Sequence, residues 1–263
     1  MSQACRMLKI SRQAVYRHRK HQHSERIREM DVLPRVRTIR EVMPRVGGRK
    51  LLKHLPGLGF GRDKFFEMLR RNGLLVKRRR TYTITTNSRH DLPVYPNLLA
   101  QAVLDAPNSV WVADQTYIRL RQGFCYLSLV TDLYSRKIVG YDVAPTLEAT
   151  GPLNALRMAL SGVQDPTGLI HHSDRGSQYC SLSYTKELLD HGCRISMTEP
   201  RSPHQNAVAE RVNGILKSEF YLDSTFGSIA EACRASVQTI YIYNNIRLHL
   251  SLGMTTPCLR YAA

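Results

Sequence analysis

The sequence predicts a mixed α/β domain preceded by small all-helical modules. Three observations predict it: a step in charge near residue 108, a change there from helical to strand-like patterning, and three hairpin-linked strand runs followed by alternating helices and strands. Residues 1–108 carry 24 Lys and Arg against 8 Asp and Glu, a net of +16, whereas 109–263 carry 14 against 13. A basic amino-terminal part beside a near-neutral remainder is the pattern of a nucleic-acid-binding module joined to something else. At 263 residues and 43% hydrophobic, the chain suits one large domain or two modest ones, each with a real core.

Membrane and export classes do not fit. No stretch reaches the roughly 18 to 20 consecutive apolar residues of a membrane span. The first residues scatter Arg6, Lys9, Arg12, Arg17 and Arg19 where a signal peptide needs an apolar core. Cys5, Cys125, Cys180, Cys193, Cys233 and Cys258 lie far apart, with no C-x-x-C and no paired Cys/His spacing. They read as reduced thiols rather than zinc ligands or a disulfide frame, and the chain as soluble and intracellular.

Within residues 1–23, Ala4, Leu8, Ile10, Ala14 and Val15 fall at roughly helical spacing, with Ser11 as a cap between two short helices, a helix-turn-helix-like segment. Residues 24–76 read as a second such unit. It has a helix over 24–43 broken near Pro34, a turn at Gly47 and Gly48, a short helix over 49–55, and an amphipathic helix stopped by Asn72 and Gly73. On that last helix Phe65, Phe66, Met68 and Leu69 supply a buried stripe. Arg62, Lys64, Arg70 and Arg71 stay outside, suited to phosphate contacts along a DNA major groove. A small helical domain with a charged exterior would show the same stripe. Residues 77–108 follow as a basic linker holding Pro93, Pro96 and Pro107, in which Lys77, Arg78, Arg79 and Arg80 track a nucleic-acid backbone.

From Ser109 the patterning is that of strands. "VWVADQTYIRL", "FCYLSLVTDLY" and "KIVGYDV" are rich in β-branched and aromatic residues and are separated by tight turns, which predicts an antiparallel meander. A helix over 150–160, a strand ending at Asp174, a helix over 182–191, the strand "RISMT", and helices over 207–220 and 228–245 complete the chain. Such an order is that of a ribonuclease-H-like fold, a mixed five-stranded sheet with helices over 109–225, on which a C-terminal helix and tail (226–263) pack.

Three acids stand in awkward places in this near-neutral part. Asp114 interrupts the apolar run Val110, Trp111, Val112, Ala113, where an unpaired carboxylate would cost several kcal/mol unless something cationic compensates it. Asp174 ends the fourth strand, which in the meander order lies beside the first. Glu210 opens the next-to-last helix. At about 100° per residue, Gly214, Lys217 and Asn213 fall within roughly 60° of Glu210, while Val208, Val212, Ile215 and Leu216 gather on the opposite side. A glutamate on a solvated face is common, so Glu210 gains meaning only from the two aspartates. Three carboxylates at one sheet edge repel unless divalent cations neutralise them, and all-oxygen ligation selects hard ions such as Mg²⁺ or Mn²⁺. Two such ions about 3.5 to 4 Å apart support in-line phosphodiester displacement.

The stretches "WVADQTYI" and "HSDRGSQY", the 35-residue gap from Asp174 to Glu210, and "YNNIRLHLSLGMTTP" resemble the integrase core of DDE transposases. The nearest resemblance is to the second-frame (OrfB) protein of IS-three-family insertion sequences, whose superfamily includes retroviral integrases. "GGRKLLKHL" and "RRNGLL" resemble that family's helix-turn-helix region, so nearly the whole chain is covered. The resemblance implies that Asp114, Asp174 and Glu210 are the catalytic, metal-binding triad for two Mg²⁺ (or Mn²⁺). It implies double-stranded DNA, as transposon ends and target, for a substrate. It also implies a homo-oligomer on DNA, an upstream-frame OrfA protein as a further partner, and a nucleoid-associated place in a bacterial cytoplasm, without a membrane. Two departures stand out: Ser202, Pro203, His204, Gln205 and Asn206 replace the family's usual Gly-Asn-Cys-Tyr-Asp-Asn run, and Arg175 stands where Gln is common.

Neighbouring residues receive supporting roles. His172 and Gln178 flank Asp174 and either orient a water or phosphate or are satisfied core groups. Asn206 and Asn213 lie beside Glu210. Lys217 shares the Glu210 face and suits a DNA phosphate. Tyr243, Asn244, Arg247 and His249 brace the site or touch DNA, with Arg247 the preferred DNA contact. Asp132 takes a structural hydrogen-bonding role. Two rival readings remain: a metal-dependent nuclease of the same fold without strand transfer, and a non-catalytic DNA-binding regulator derived from a transposase.

Overall fold

The computed structural model describes residues 5, 7, 9–59, 61–76, 92–200 and 202–263. They fall into two compact units, Met1–Arg78 and Arg79–Ala263. Lys77, Arg78, Arg79 and Arg80 lie outside the described residues.

In the first unit, α1 (Arg12–Val42) is one helix of 31 residues. Ser11 caps it, its hydroxyl accepting the Ala14 N–H at 3.1 Å. The helix then runs through the boundary expected between residues 23 and 24 and through Pro34, where the sequence predicts a break. A proline inside a helix removes one hydrogen bond and costs about 3 kcal/mol. Here Val32 and Val36, on either side of Pro34, are buried at 2% and 0% exposure, and that packing offsets the cost. Two short helices follow, α2 (Gly48–His54) and α3 (Arg62–Arg71), packed on each other. Phe65, Met68 and Leu69 of α3 join Val32, Val36 and Leu51 among the buried residues of this unit.

The second unit is built on a sheet. Strands β1 (Val110–Leu120), β2 (Phe124–Asp132) and β3 (Ile138–Ala144) form the antiparallel meander that the sequence predicts. Strand β4 (Ile170–Ser173) then lies parallel to β1 and β5 (Arg194–Met197) parallel to β4, giving the order β3-β2-β1-β4-β5. A two-residue strand absent from the sequence reading, β6 (Thr225–Phe226), adds a sixth member beside the far end of β1.

Strand β1 is central and covered on both faces, which is why Val110, Trp111, Val112 and Ala113 are all buried. Trp111 and Ala113 face a core made with α4 (Thr150–Ser161) and α5 (Leu182–Asp190). Val110 and Val112 face the opposite side, toward Ala209 of α6 (Ala207–Phe220). By the two-residue period of a strand, Asp114 belongs to this second side. Helix α7 (Ile229–Asn245) packs on β1, β2, β3 and α6, and α8 (Pro257–Ala262) packs on α7.

Asn244 of α7 donates to the Ile138 carbonyl and accepts from the Ile138 N–H, both at 2.9 Å, as a further strand would. Asp132 has the structural role expected of it. It is fully buried and accepts from the N–H of Asn108 at 2.8 Å, the N–H of Ser135 at 2.7 Å and the Ser135 hydroxyl at 2.5 Å. Among the described residues no helix is long and apolar enough to cross a membrane.

Candidate active site

The parallel pairing of β1 with β4 sets the site. Val112 lies opposite His172. Asp114 and Asp174 each stand two residues further along, so the register brings the two aspartates level on adjacent strands. Asp114 is fixed at both oxygens: Oδ1 accepts from the Gln115 N–H at 2.9 Å and Oδ2 from Asn213 Nδ2 at 2.8 Å. Asp174 Oδ1 accepts from the Gly176 N–H at 2.9 Å, the turn that an aspartate makes with its own backbone two residues on.

Helix α6 brings the third acid. Asn206, just ahead of the helix, donates to the Ala113 carbonyl at 3.0 Å and pins the helix start to β1. Asn213 reaches Asp114 one turn after Glu210. Glu210 is exposed, on the same face as Asn213, and its charge acts on Asp114. Burial, the charge of Asp174 and the charge of Glu210 push the Asp114 carboxyl up to about 7, against the opposing hydrogen bonds from Asn213 and Gln115. The acids share one electrostatic field, yet among the described residues no three His, Cys, Asp or Glu side chains stand close enough to form a ready cage for an ion.

The residues nonetheless suit a divalent cation. The donors are carboxylate oxygens, and Asp114 is a half-buried carboxyl held neutral to an unusual pH by desolvation and by its acidic neighbours. A hard dication reverses that penalty.

Five residues around the acids take distinct places. His172 is fully buried with Nδ1 2.8 Å from the Ser196 hydroxyl, and burial holds it neutral, lowered to about 4; it is a satisfied core group at that nitrogen rather than an exposed base. Gln178 is buried with its amide against Gly176, where a Cβ would come within 2.7 Å of Nε2. Asn206 and Asn213 are buried positioning groups. Lys217 is half-buried, with Nζ 3.9 Å over the Tyr117 ring. Burial lowers its ammonium to about 8, while Asp114 and Asp223 act to raise it.

The remaining cations are placed differently from one another. Arg247, preferred as a DNA contact, is instead 3% exposed and makes two 2.8 Å bonds to the carboxylate of Glu219 on α6, bracing that helix from the segment after α7. Removing one side of such a buried pair costs on the order of 3 to 5 kcal/mol. Arg247→Ala is therefore expected to lower the unfolding midpoint by roughly 10 °C. Arg247→Lys should recover only part, since the planar fork is lost; thermal unfolding followed by circular dichroism checks both. In the first unit, Lys64 pairs with Glu25 at 2.8 Å, Arg71 pairs with Glu29, and Arg62 pairs with its neighbour Asp63. Lys64 and Arg71 thus tie α3 to α1, and Arg70 is exposed.

Tyr179 was given no role by the sequence. It is 2% exposed, its ring packs edge-on to Tyr184 at 5.3 Å, and its hydroxyl has no hydrogen-bond partner among the described residues. Burial and the charges of Asp114 and Asp174 push its phenol well up. Its place five residues after Asp174 in "HSDRGSQY" was the available signal.

An antiparallel meander extended by two parallel strands, with aspartates level on the two innermost and a glutamate on the helix packed against β1, defines an integrase core of the ribonuclease-H type. Two family models, each described as an integrase core domain, match residues 105–203 and 191–257. The chain is 37% identical over 261 residues to the uncharacterised 31 kDa protein of insertion element IS600 from Shigella sonnei, covering 96% of this chain and 95% of that protein. It is 38% identical over 193 residues to transposase InsF of insertion sequence IS3A from Escherichia coli (strain K12), covering 72% of this chain and 66% of that one. The chain belongs to the integrase-core transposases of the IS3 family of insertion sequences. The fold is also that of the simian T-cell lymphotropic virus intasome, solved with the PP2A regulatory subunit B56 gamma. That match has a TM-score of 0.51 and 17% identity, and covers 83% of this chain and 71% of that one.

Proposed function

We propose that this transposase-family chain cuts and joins DNA with Asp114, Asp174 and Glu210 as its catalytic acids. The observation that carries this reading is the parallel register of β1 and β4, which sets Asp114 level with Asp174, with the Glu210 helix tied to Asp114 through Asn213. Two Mg²⁺ or Mn²⁺ ions held by these carboxylates would activate the attacking oxygen and stabilise the leaving one.

The chain's own residues do the positioning. Asn213 and the Gln115 N–H orient Asp114, and the Gly176 N–H orients Asp174. Lys217 offers its ammonium to a phosphate of the DNA end, and α3 with Arg70 contributes to end recognition. In the first reaction water adds to the phosphorus at a transposon end, the bond to the 3′ oxygen breaks and a 3′ hydroxyl is freed. That hydroxyl then attacks a target phosphodiester and displaces its 3′ oxygen, with no covalent bond to the protein. Two copies or more bring two DNA ends together, and an upstream-frame OrfA protein is a candidate partner.

The reading is tested on labelled linear DNA carrying the element's own ends, with Mg²⁺ or Mn²⁺. Joined products establish strand transfer. Cleavage without joining, also when the upstream-frame protein is added, would show a nuclease of the same fold instead, and neither product would point to a DNA-binding regulator.

A pH dependence follows from Asp114. A carboxyl whose folded pKa is raised favours folding at low pH and loses that contribution as pH climbs through about 7. A cation needs the ionised form, so binding displaces a proton. Mg²⁺ affinity is expected to rise about tenfold per pH unit below neutrality and to level off above it. Calorimetry in buffers of different ionisation enthalpy reads the proton release, and an affinity flat from pH ~5.5 to ~8 would contradict the assignment.

A further inference from the structure

A second cationic site lies beside the first residues of β1, where the turn between β2 and β3 meets the C-terminal tail. A cavity of about 440 Å³ opens there, with apolar walls from Leu133 and Leu252, the ring of Tyr134, and the guanidinium groups of Arg136 and Arg260. That volume is within the range of small-ligand pockets and accepts a backbone phosphate with its sugar.

Three features of this place point to an anion. First, Arg136 Nη1 is buried and has no hydrogen-bond partner among the described residues. Asp132, whose charge acts on Arg136, is already committed to Asn108 and Ser135. A buried charged donor without an acceptor is costly, and an incoming oxyanion relieves that cost.

Second, Arg136 sits in the left-handed backbone region at φ 64. Glycine or asparagine would occupy that position with less strain, so the turn gains nothing from an arginine as such. A side chain held at a strained position is a pointer to use of that side chain.

Third, a cation lies over a ring within the cavity, and a second such pair, Lys137 and Tyr261, adjoins Arg136 and Arg260 in sequence, outside the lining. Arg260 stacks over Tyr134 at 4.1 Å and Lys137 Nζ lies 3.8 Å over Tyr261. Among the described residues no acid lines the cavity. Phosphate contacts by arginine beside aromatic and apolar surface for the sugar are how proteins track a nucleic-acid strand.

We infer that the cavity between the β2–β3 turn and the C-terminal tail is a second DNA-backbone site, with Arg136 and Arg260 holding one phosphodiester away from the acids. The inference rests on the reading that this chain acts on DNA. It assigns the tail a role in DNA binding that the catalytic acids do not fill.

The test is fluorescence anisotropy with a labelled random-sequence duplex and the full-length chain, in EDTA so that no cation enters the acid site. The double variant Arg136→Gln with Arg260→Gln is expected to bind on the order of tenfold more weakly. The slope of log affinity against log salt should become shallower by about 0.9, the change for the one phosphate charge that the pair no longer neutralises. The double variant Arg136→Lys with Arg260→Lys is expected to keep most of the affinity. Arg157→Gln with Arg194→Gln, which removes equal charge from exposed positions elsewhere on the same unit, should leave affinity within about twofold of the parent. A lysine pair that binds as poorly as the glutamine pair, or a control pair that weakens binding as much, would overturn the inference, and so would an unchanged affinity and slope in the glutamine pair. A parent that binds no DNA at all would instead remove the DNA reading, and this inference with it.

Discussion

Glu210→Gln is expected to reduce DNA cleavage and joining by at least ~10³-fold while leaving DNA binding and the unfolding midpoint nearly unchanged. The physical reason is local. Glu210 is exposed on α6, so the amide fits without loss of packing, and the fold does not depend on its charge. What disappears is one of three carboxylates whose shared field raises Asp114. Asp114→Asn and Asp174→Asn are expected to match the loss of chemistry. Asp114→Asn should also remove a half-buried charge that Asp174 and Glu210 disfavour, so at neutral pH without metal it should unfold no more easily than the parent. Gel analysis of end-labelled DNA reads the first outcome and calorimetry the second. Residual activity within about tenfold of the parent in the Glu210 variant would remove that residue from the catalytic set.

The largest expected steric effect on stability lies at Gly140. A Cβ built there would stand 2.0 Å from the Ala155 carbonyl oxygen and 2.9 Å from Ala159, because α4 packs directly on β3 at this point. Backbone cannot yield as a flexible side chain can. Gly140→Ala is expected to cost about 3 kcal/mol, and Gly140→Val to leave little soluble folded chain. Gly214 on α6 is the contrast, since an added Cβ meets nothing within 4 Å. Gly214→Ala is expected to be neutral or to stabilise by up to about 1 kcal/mol through helix propensity. Denaturant unfolding of the three variants separates the cases.

The sequence made some of this visible and hid the rest for identifiable reasons. Asp114 was legible because a carboxylate inside "VWVA" must answer for its burial, and β1 is indeed the central strand. Asp174 was legible because three hairpin-linked strands leave the edge beside β1 for the next strand. Glu210 could be placed on a face from helical spacing alone, but not brought near Asp114; that took Asn213 reaching across to β1.

For Arg247 the sequence leaves bracing and DNA contact both open, because its partner, Glu219, lies 28 residues away and nothing in local spacing marks that pair. Lys64 and Arg71 are tied to Glu25 and Glu29 across 39 and 42 residues for the same reason. Pro34 reads as a break because helix propensity is local, whereas the burial of Val32 and Val36 that overrides it is tertiary. Strand β6 is only two residues long, too short for any periodic signal.

The central claim is that Asp114, Asp174 and Glu210 together hold the divalent ions that drive the chemistry. Its most direct test is an anomalous difference map from crystals of the chain bound to its DNA ends and soaked with Mn²⁺. The account predicts peaks at about 2.0 to 2.3 Å from oxygens of all three carboxylates. Ordered DNA with no peak at these acids, or with peaks that leave out one of them, would contradict it.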